Sequence, residues 1–551
     1  VLEDLGSTNG TFVGSLENQT RSHPIGPLDT VFFGSHAVPA TRLLPRPVRN
    51  GTGVDTSLHL PSGVFTIGRD SESDLTLDDP AVSWHHARLI RSNDGVVLED
   101  LGSTNGTFAA GRRVNGLTPI TVGEPVAIGG TTLCLRSVDT FELHRVQGDL
   151  RIEIHDLVIE VPGKRLIEGA SATLLPGELV GLMGPSGAGK TTLMLAMNGY
   201  MRPAGGRVLY NGQDLYGHYD QFRLHLGYVP QDDIMHGDLT VHEALYYNAR
   251  LRLPTDTKKS EIEARISTVM GQLGLEGTAD VLIGSPTKKG ISGGQRKRVN
   301  LAMELLTDPS VLFLDEPTSG LSSEDALMVM KVLRRLADDG KTILVTIHQP
   351  SREVFRQMDH LLLLARDAGS EQPAGVAYFG PAYPSSIHFL NPKERDCLDP
   401  SPDRLLEGLA QHPAPEQIAV FKASNEHRLY VEGRKKQGAF HDSVSELPAQ
   451  RGTGDIFLQW RTLAMRSLRV KARDAANTAI LLLQAPIIAL LIVMVFGSQV
   501  EDLARSDLTP QGWREGASAA ATTLFLSAVA ALWFGCSNAA REIVAEWSIY
   551  H

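Results

Sequence analysis

The run Gly184-Pro185-Ser186-Gly187-Ala188-Gly189-Lys190-Thr191 combines glycines, a lysine and a hydroxyl at a spacing suited to gripping phosphates. Glycines let successive backbone N–H groups wrap phosphate oxygens at a helix N-terminus. Lys190 can then reach the outer phosphates, while the Thr191 hydroxyl suits Mg²⁺. Such a loop works only between a strand and a helix. Leu179–Met183 is an apolar strand, and Thr192-Leu193-Met194 opens a helix, so the context is present.

Five further elements follow in order. Gln231 sits in Gly227-Tyr228-Val229-Pro230-Gln231, and Ser292-Gly293-Gly294-Gln295 precedes a helical run. Val311–Leu314 is a buried strand that ends in Asp315-Glu316. Ser319-Gly320-Leu321-Ser322 comes next, and His348 closes the strand Thr342–Ile347. Together with the phosphate loop they resemble an ABC-type nucleotide-binding domain over 150–380. The resemblance implies ATP and Mg²⁺ as cofactors. It gives ATP contacts to Gly184 through Thr192, to Asp315, and to Ser292, Gly293, Gly294 and Gln295. Those last four would cap the γ-phosphate held by a second subunit, so it also implies a dimer, most simply of identical chains. Phosphoryl-transfer chemistry then makes Glu316 the base that polarises water, with Gln231 and His348 contacting the γ-phosphate and water. Thr191, Gln231 and Asp315 would hold the metal.

Two positions depart from the family pattern. Val161 stands where an aromatic often stacks on adenine, and Ser322 stands where an aspartate is usual. His348-Gln349-Pro350-Ser351, the stretch Gln231–Thr240, and Tyr378-Phe379-Gly380-Pro381 are similar to the G subfamily (White–Brown type). Its members place the nucleotide domain before the membrane domain.

Ahead of this domain, residues 1–12 read VLEDLGSTNGTF and residues 97–108 read the same twelve letters. A module is therefore present twice, the first copy (1–44) lacking its front part. The second copy, 57–136, alternates short apolar runs with Gly, Asn, Asp and Pro, the pattern of an all-β sandwich. Gly68-Arg69, Ser83-Trp84-His85-His86 and Thr104-Asn105-Gly106 resemble a forkhead-associated (FHA) domain. That implies a phosphothreonine site of Arg69, Ser83, Thr104 and Asn105, with His86 bracing the loop. An Arg fork, a hydroxyl and an amide are suitable donors for phosphate. The first copy keeps Thr8-Asn9-Gly10 without an Arg or Ser partner.

The 551 residues carry a net charge of −11, which opposes a nucleic-acid protein relying on a global basic field. Three widely spaced cysteines exclude a disulfide framework and fit a reducing compartment. Residues 381–455 read as a polar linker whose cluster Arg434-Lys435-Lys436 is a solvated surface. An amphipathic basic helix over 456–476 carries Arg461, Arg466, Arg469, Lys471 and Arg473. It abuts Thr478–Phe496, which has no charge and as a helix spans about 28 Å, near a bilayer core. A second uncharged stretch, Ala517–Ala540, makes 478–551 the first two spans of a truncated membrane domain. The basic lead-in puts the nucleotide and FHA domains in the cytoplasm and membrane lipid among the partners.

The expected architecture is therefore multidomain: all-β FHA sandwiches, an α/β P-loop domain and α-helical transmembrane segments. The expected activity is ATP-driven transport, in the export direction, by a half-transporter of the cell membrane. A phosphothreonine protein, such as a Ser/Thr kinase or its substrate, would dock on the FHA module. Two alternatives stand beside this reading: a phospho-dependent scaffold, and a soluble ABC-type ATPase. The chain reads as a fragment, and nothing in it names a cargo.

Overall fold

Strand and helix signals separate cleanly along the chain. The structure, a computed structural model, describes residues 2–3, 11–13, 22–23, 30–33, 36–39, 56–92, 95–145, 150–233, 235–284, 290–367, 369–394, 397, 399–435, 453–502 and 509–550. It divides into two compact units: Val1–Asp79 with His85–Gly102 and Gly106–Asp149, and Pro80–Trp84 with Ser103–Asn105 and Leu150–His551.

The alternating segments after residue 56 form two antiparallel-rich sheets. The first runs in the order Thr118–Ile120, Gly95–Asp100, Ala87–Ser92, Gly63–Gly68, Leu75–Thr76. The second runs Arg112–Arg113, Thr107–Ala109, Pro125–Ile128, Thr131–Ser137, Thr140–Arg145, Thr56–His59. Phe65, Leu89 and Leu98 stand opposite one another across three strands, and all three are buried. The Phe65 ring meets Phe141 of the other sheet edge-on, with centroids 5.4 Å apart. The module thus runs past the expected end at Arg136: Phe141 and Leu143 alternate into the core. In the first copy, Thr11–Val13, Thr30–Phe33 and His36–Pro39 pair in the same order as Thr107–Ala109, Pro125–Ile128 and Thr131–Ser137. Thr8-Asn9-Gly10 lies outside the described residues.

The α/β part centres on a six-stranded sheet in the order Leu226–Val229, Val311–Leu314, Thr342–Thr346, Leu179–Met183, His360–Ala365, Gly375–Pro381. All pairs are parallel except the last. Its central strands are continuous apolar runs, buried along their whole length, as expected of parallel strands covered on both faces. A four-stranded antiparallel sheet, from Ile152–Val161, Lys164–Leu174, Gly205–Tyr210 and Gln213–Asp214, adds to it. Val161 ends the first of these strands at a tight hairpin.

The linker reading of 381–455 is overturned over its first part. Residues 385–390, 403–410 and 414–423 are helices, and 427–432 form a π-helical turn. Phe421 is fully buried, and its ring lies 6.1 Å from Tyr378 on the edge strand Gly375–Pro381. This helical segment therefore covers apolar surface of a sheet edge that would otherwise stay exposed. Arg434 is not solvated either. Its guanidinium takes both oxygens of Glu178, at 3.0 and 3.1 Å, and sits over the rings of Tyr430 and Phe379. Lys436 lies outside the described residues.

Among the described residues that follow, Thr453–Arg473, Ala475–Asp502 and Pro510–Tyr550 are helices. Thr478–Val495 has a mean hydropathy of 2.6 and is 0% buried, and Trp513–Cys536 has 1.7 and is 6% buried. Both are long and apolar enough to cross a bilayer, and their apolar side chains, such as Leu482, Leu490 and Trp533, face outward uncovered.

Candidate functional site

The loop after the central strand Leu179–Met183 is shaped by its glycines. Gly184 has φ +153°, and a Cβ there would come within 2.7 Å of the Leu364 carbonyl oxygen. Gly189, at φ +86°, is the N-cap of the helix Lys190–Met197, where a side chain would press on Ile167. Lys190 folds back over this loop, its Nζ donating to the carbonyls of Gly184 (3.0 Å) and Pro185 (3.2 Å). Burial holds its ammonium below the usual lysine range, and the carboxylates of Glu316 and Asp315 oppose that shift. Arg366, at the end of a neighbouring strand, donates to the Gly187 carbonyl at 2.7 Å.

Parallel pairing brings the ends of Val311–Leu314 and Thr342–Thr346 beside this loop. Asp315 follows directly and is buried. Its Oδ2 accepts from the Thr191 hydroxyl at 2.8 Å, and its Oδ1 accepts from the Thr346 hydroxyl at 2.5 Å. Thr346 also accepts from the Glu316 N–H at 2.7 Å, so one buried hydroxyl fixes both acids. Glu316 has φ +47°, a left-handed backbone that non-glycine residues seldom adopt. Its two oxygens meet Gln231 Nε2 at 3.0 Å and His348 Nε2 at 2.5 Å. Gln231, Glu316 and His348, far apart in sequence, thus form one hydrogen-bonded row beside Asp315 and Thr191. Composition offered no sign of Thr346 or Arg366. A polar residue closing the apolar strand Thr342–Thr346 was the signal available for Thr346.

Ser292 and Gln295 lie together elsewhere, at the start of the helix Gly293–Leu305. The Ser292 hydroxyl accepts from the Gln295 N–H and the Gln295 side chain accepts from the Ser292 N–H, a capping box. Gly294 permits a close approach by Asp325, since a Cβ would fall 2.5 Å from its Oδ1. Ser322 in turn caps the helix Ser323–Asp338, its hydroxyl accepting from the Asp325 N–H and donating to the Asp325 carboxylate. The serine at this departure from the family pattern therefore works as a helix cap.

In the β-rich part, Arg69 follows the strand Gly63–Gly68. The buried Ser83 hydroxyl accepts from the Thr104 N–H at 3.0 Å, and Asn105 Nδ2 donates to the Ala81 carbonyl at 2.7 Å. His86 is fully buried. Its N–H bonds Ile67, its carbonyl receives Leu101 N–H, and its ring nitrogen sits 3.2 Å from the Gly106 carbonyl. That is the bracing role expected of it.

With this geometry in place, two families match: FHA domain over residues 65–129 and ABC transporter over residues 167–319. The chain carries an FHA domain followed by an ABC domain. Over 503 residues it is 32% identical to the ABC transporter ATP-binding/permease protein Rv1747 of Mycobacterium tuberculosis, covering 89% of this chain and 53% of that protein. It is 40% identical over 284 residues to ABC transporter G family member 28 of Arabidopsis thaliana, covering 50% of this chain and 24% of that one. It is 39% identical over 255 residues to the broad substrate specificity ATP-binding cassette transporter ABCG2 of Mus musculus, covering 46% of this chain and 37% of the relative. The chain thus spans about half the length, or less, of these curated relatives. In the chain the ABC domain precedes the apolar helices, the order expected from the G-subfamily resemblance.

Proposed function

We propose that this chain is the ATP-hydrolysing, membrane-inserted part of an ABC half-transporter of the G type, working as a dimer and regulated through its FHA domain. The observation that carries the reading is the position of Glu316, held between Gln231 and His348 beside the Asp315–Thr191 pair. A carboxylate in that place can orient and deprotonate a water, and His348 can hold it and contact the γ-phosphate.

Thr191 and Asp315 offer two hard oxygen donors 2.8 Å apart at the mouth of the loop, a donor set that fits Mg²⁺. Gln231 would add a third oxygen. The metal would neutralise charge on the outer phosphates. Lys190, already turned toward the loop, would exchange its carbonyl partners for phosphate oxygens. Ser292 through Gln295 present a capped helix N-terminus, suited to the γ-phosphate on the partner subunit. The exposed apolar helices favour a membrane protein over a soluble ATPase, with the ABC and FHA domains on the cytoplasmic side. Transport would run in the export direction, as the G-subfamily resemblance implies. A phosphothreonine protein would dock at Arg69, Ser83, Thr104 and Asn105.

The test is ATP binding and hydrolysis by the full chain in detergent micelles. Glu316→Gln should retain ATP and lose turnover by at least about 10²-fold, because the base goes while the phosphate contacts stay. Hydrolysis near the unmodified rate would remove Glu316 from this role.

A further inference from the structure

The helix Gly293–Leu305 does more than present Ser292 and Gln295. One of its faces grips the segment that carries Gln231. Asn300 Nδ2 donates to Asp233 Oδ1 at 2.7 Å, and Lys297 Nζ lies 3.2 Å from the same oxygen. Arg296 Nε stands 3.6 Å from the other oxygen, Oδ2. Lys297 Nζ also donates to the Gln231 carbonyl at 2.6 Å. One helical turn further on, Glu304 Oε2 accepts from the Tyr228 N–H at 3.2 Å, with Arg252 holding both Glu304 oxygens. Residues 296, 297, 300 and 304 share a face at helical spacing, and all of them reach 228–233.

This grip is well sheltered. Side-chain exposure is 24% at Asp233 and 12% at Lys297, and Asn300 is buried. Charge-assisted hydrogen bonds in such a setting are stiffer than surface ion pairs. Asp233 has no part in the phosphate chemistry, yet it is the point where three side chains of the helix converge.

We infer that Asp233 is a positioning residue that couples the two ATP sites of the dimer, by locking Gln231 of one site to the helix that caps the other. The inference rests on the proposed function. Gln231 serves the nucleotide held by its own loop, whereas Ser292–Gln295 serve the partner's. A helix displaced when it closes on the partner's γ-phosphate carries Lys297 and Asn300 with it. Through Asp233 and the Gln231 carbonyl it then moves the amide that meets Glu316. Filling one site thereby sets the geometry of the other.

The test compares the full chain in detergent micelles with Asp233→Ala, Lys297→Ala and the double variant. The Hill coefficient of ATP hydrolysis should fall to about 1 in each variant, with turnover lowered about five-fold or more and ATP affinity, read in a Glu316→Gln background, nearly unchanged. The loss in the double variant should be less than the sum of the two single losses, because the Asp233–Lys297 contact is shared by both. The conservative variants Asp233→Glu and Lys297→Arg, which keep the charges and the donor to the Gln231 carbonyl, should retain part of the cooperativity, which a general loss of folding would not allow. Amide hydrogen exchange gives a readout that needs no turnover. Protection at 228–233 should rise on ATP binding together with that at 293–305 in the unmodified chain, and not in Asp233→Ala. Unchanged cooperativity in Asp233→Ala, or exchange that stays linked, overturns the inference. Absence of ATP binding by the unmodified chain would instead overturn the proposed function.

Discussion

At Ser83 one hydroxyl is asked to serve two masters, since it already accepts the Thr104 N–H that holds the neighbouring loop in place. Arg69 would bring a charged fork to the phosphate and Ser83 a single hydroxyl, so the two should lose different amounts of binding on truncation. Arg69→Ala should weaken binding of a phosphothreonine peptide by about 3 kcal/mol, as a charge-assisted fork to phosphate is lost. Ser83→Ala should lose about 1–2 kcal/mol of binding and lower the melting temperature as well, because the Thr104 N–H loses its partner. Calorimetric titration with matched phosphorylated and plain peptides, alongside thermal melts of the same proteins, checks both. Equal affinity for the two peptides would leave the FHA domain without its assigned ligand. Unaltered binding in Arg69→Ala would take that residue out of the site.

Among the elements, the helical segment after the ABC domain is held by a joint between residues far apart in sequence. Arg434 meets Glu178, which opens the strand leading to the phosphate loop, with side-chain exposures of 13% and 10%. Removing Arg434 leaves the buried Glu178 carboxylate to the Leu175 N–H and the nearby His360 ring, and Arg434→Ala should destabilise the ABC domain by about 3 kcal/mol. Thermal melting together with limited proteolysis of 399–435 would register it; a protein as stable and as protease-resistant as the unmodified one would show the joint to be idle. This joint was not legible in the sequence, where Arg434 stands in a basic run like any solvated patch and Glu178 gives no sign of a partner. The phosphate loop, Asp315-Glu316 and Ser292–Gln295 were legible because each is a contiguous motif whose spacing is dictated by backbone chemistry. Gln231 and His348 were placed by order along the chain. Thr346, Asp233 and Lys297 act through contacts that only the parallel strand order and one helix face bring about, so periodicity could not single them out. The strand Thr140–Arg145 lies past the expected end at Arg136, although its alternation of Phe141 and Leu143 continues the pattern.

For the molecule as a whole, the ABC domain is tied to the helix Thr453–Arg473 at one end of the helix Val241–Arg252. Glu243 closes the capping box of that helix with Thr240, and both Arg469 and Arg473 reach its carboxylate. Burial raises that carboxyl, but the Thr240 N–H and the two arginines outweigh it and hold it below the usual range. Assembly should depend on the other exposed end of the domain, around Ser292. ATP should dimerise the Glu316→Gln chain, and adding Ser292→Arg should prevent this by placing bulk at the helix N-terminus. Ser292 is also a helix cap, whose loss alone costs about 1 kcal/mol, so Ser292→Ala is the control that removes the cap without the bulk. Sizing in the presence of ATP and Mg²⁺ decides: equal dimer fractions for Ser292→Arg and Ser292→Ala would remove this surface from the interface.

The left-handed backbone at Glu316 has a consequence for anyone who wishes to toughen this protein. A non-glycine residue at φ +47° stores about 1–2 kcal/mol of local strain, which Thr346 helps to impose through the Glu316 N–H. Laboratory evolution for heat resistance would therefore find a ready gain in glycine at this position, and each such gain would silence the ATPase. Robustness and turnover are set against each other at a single residue, so selection for one must be run with a screen for the other.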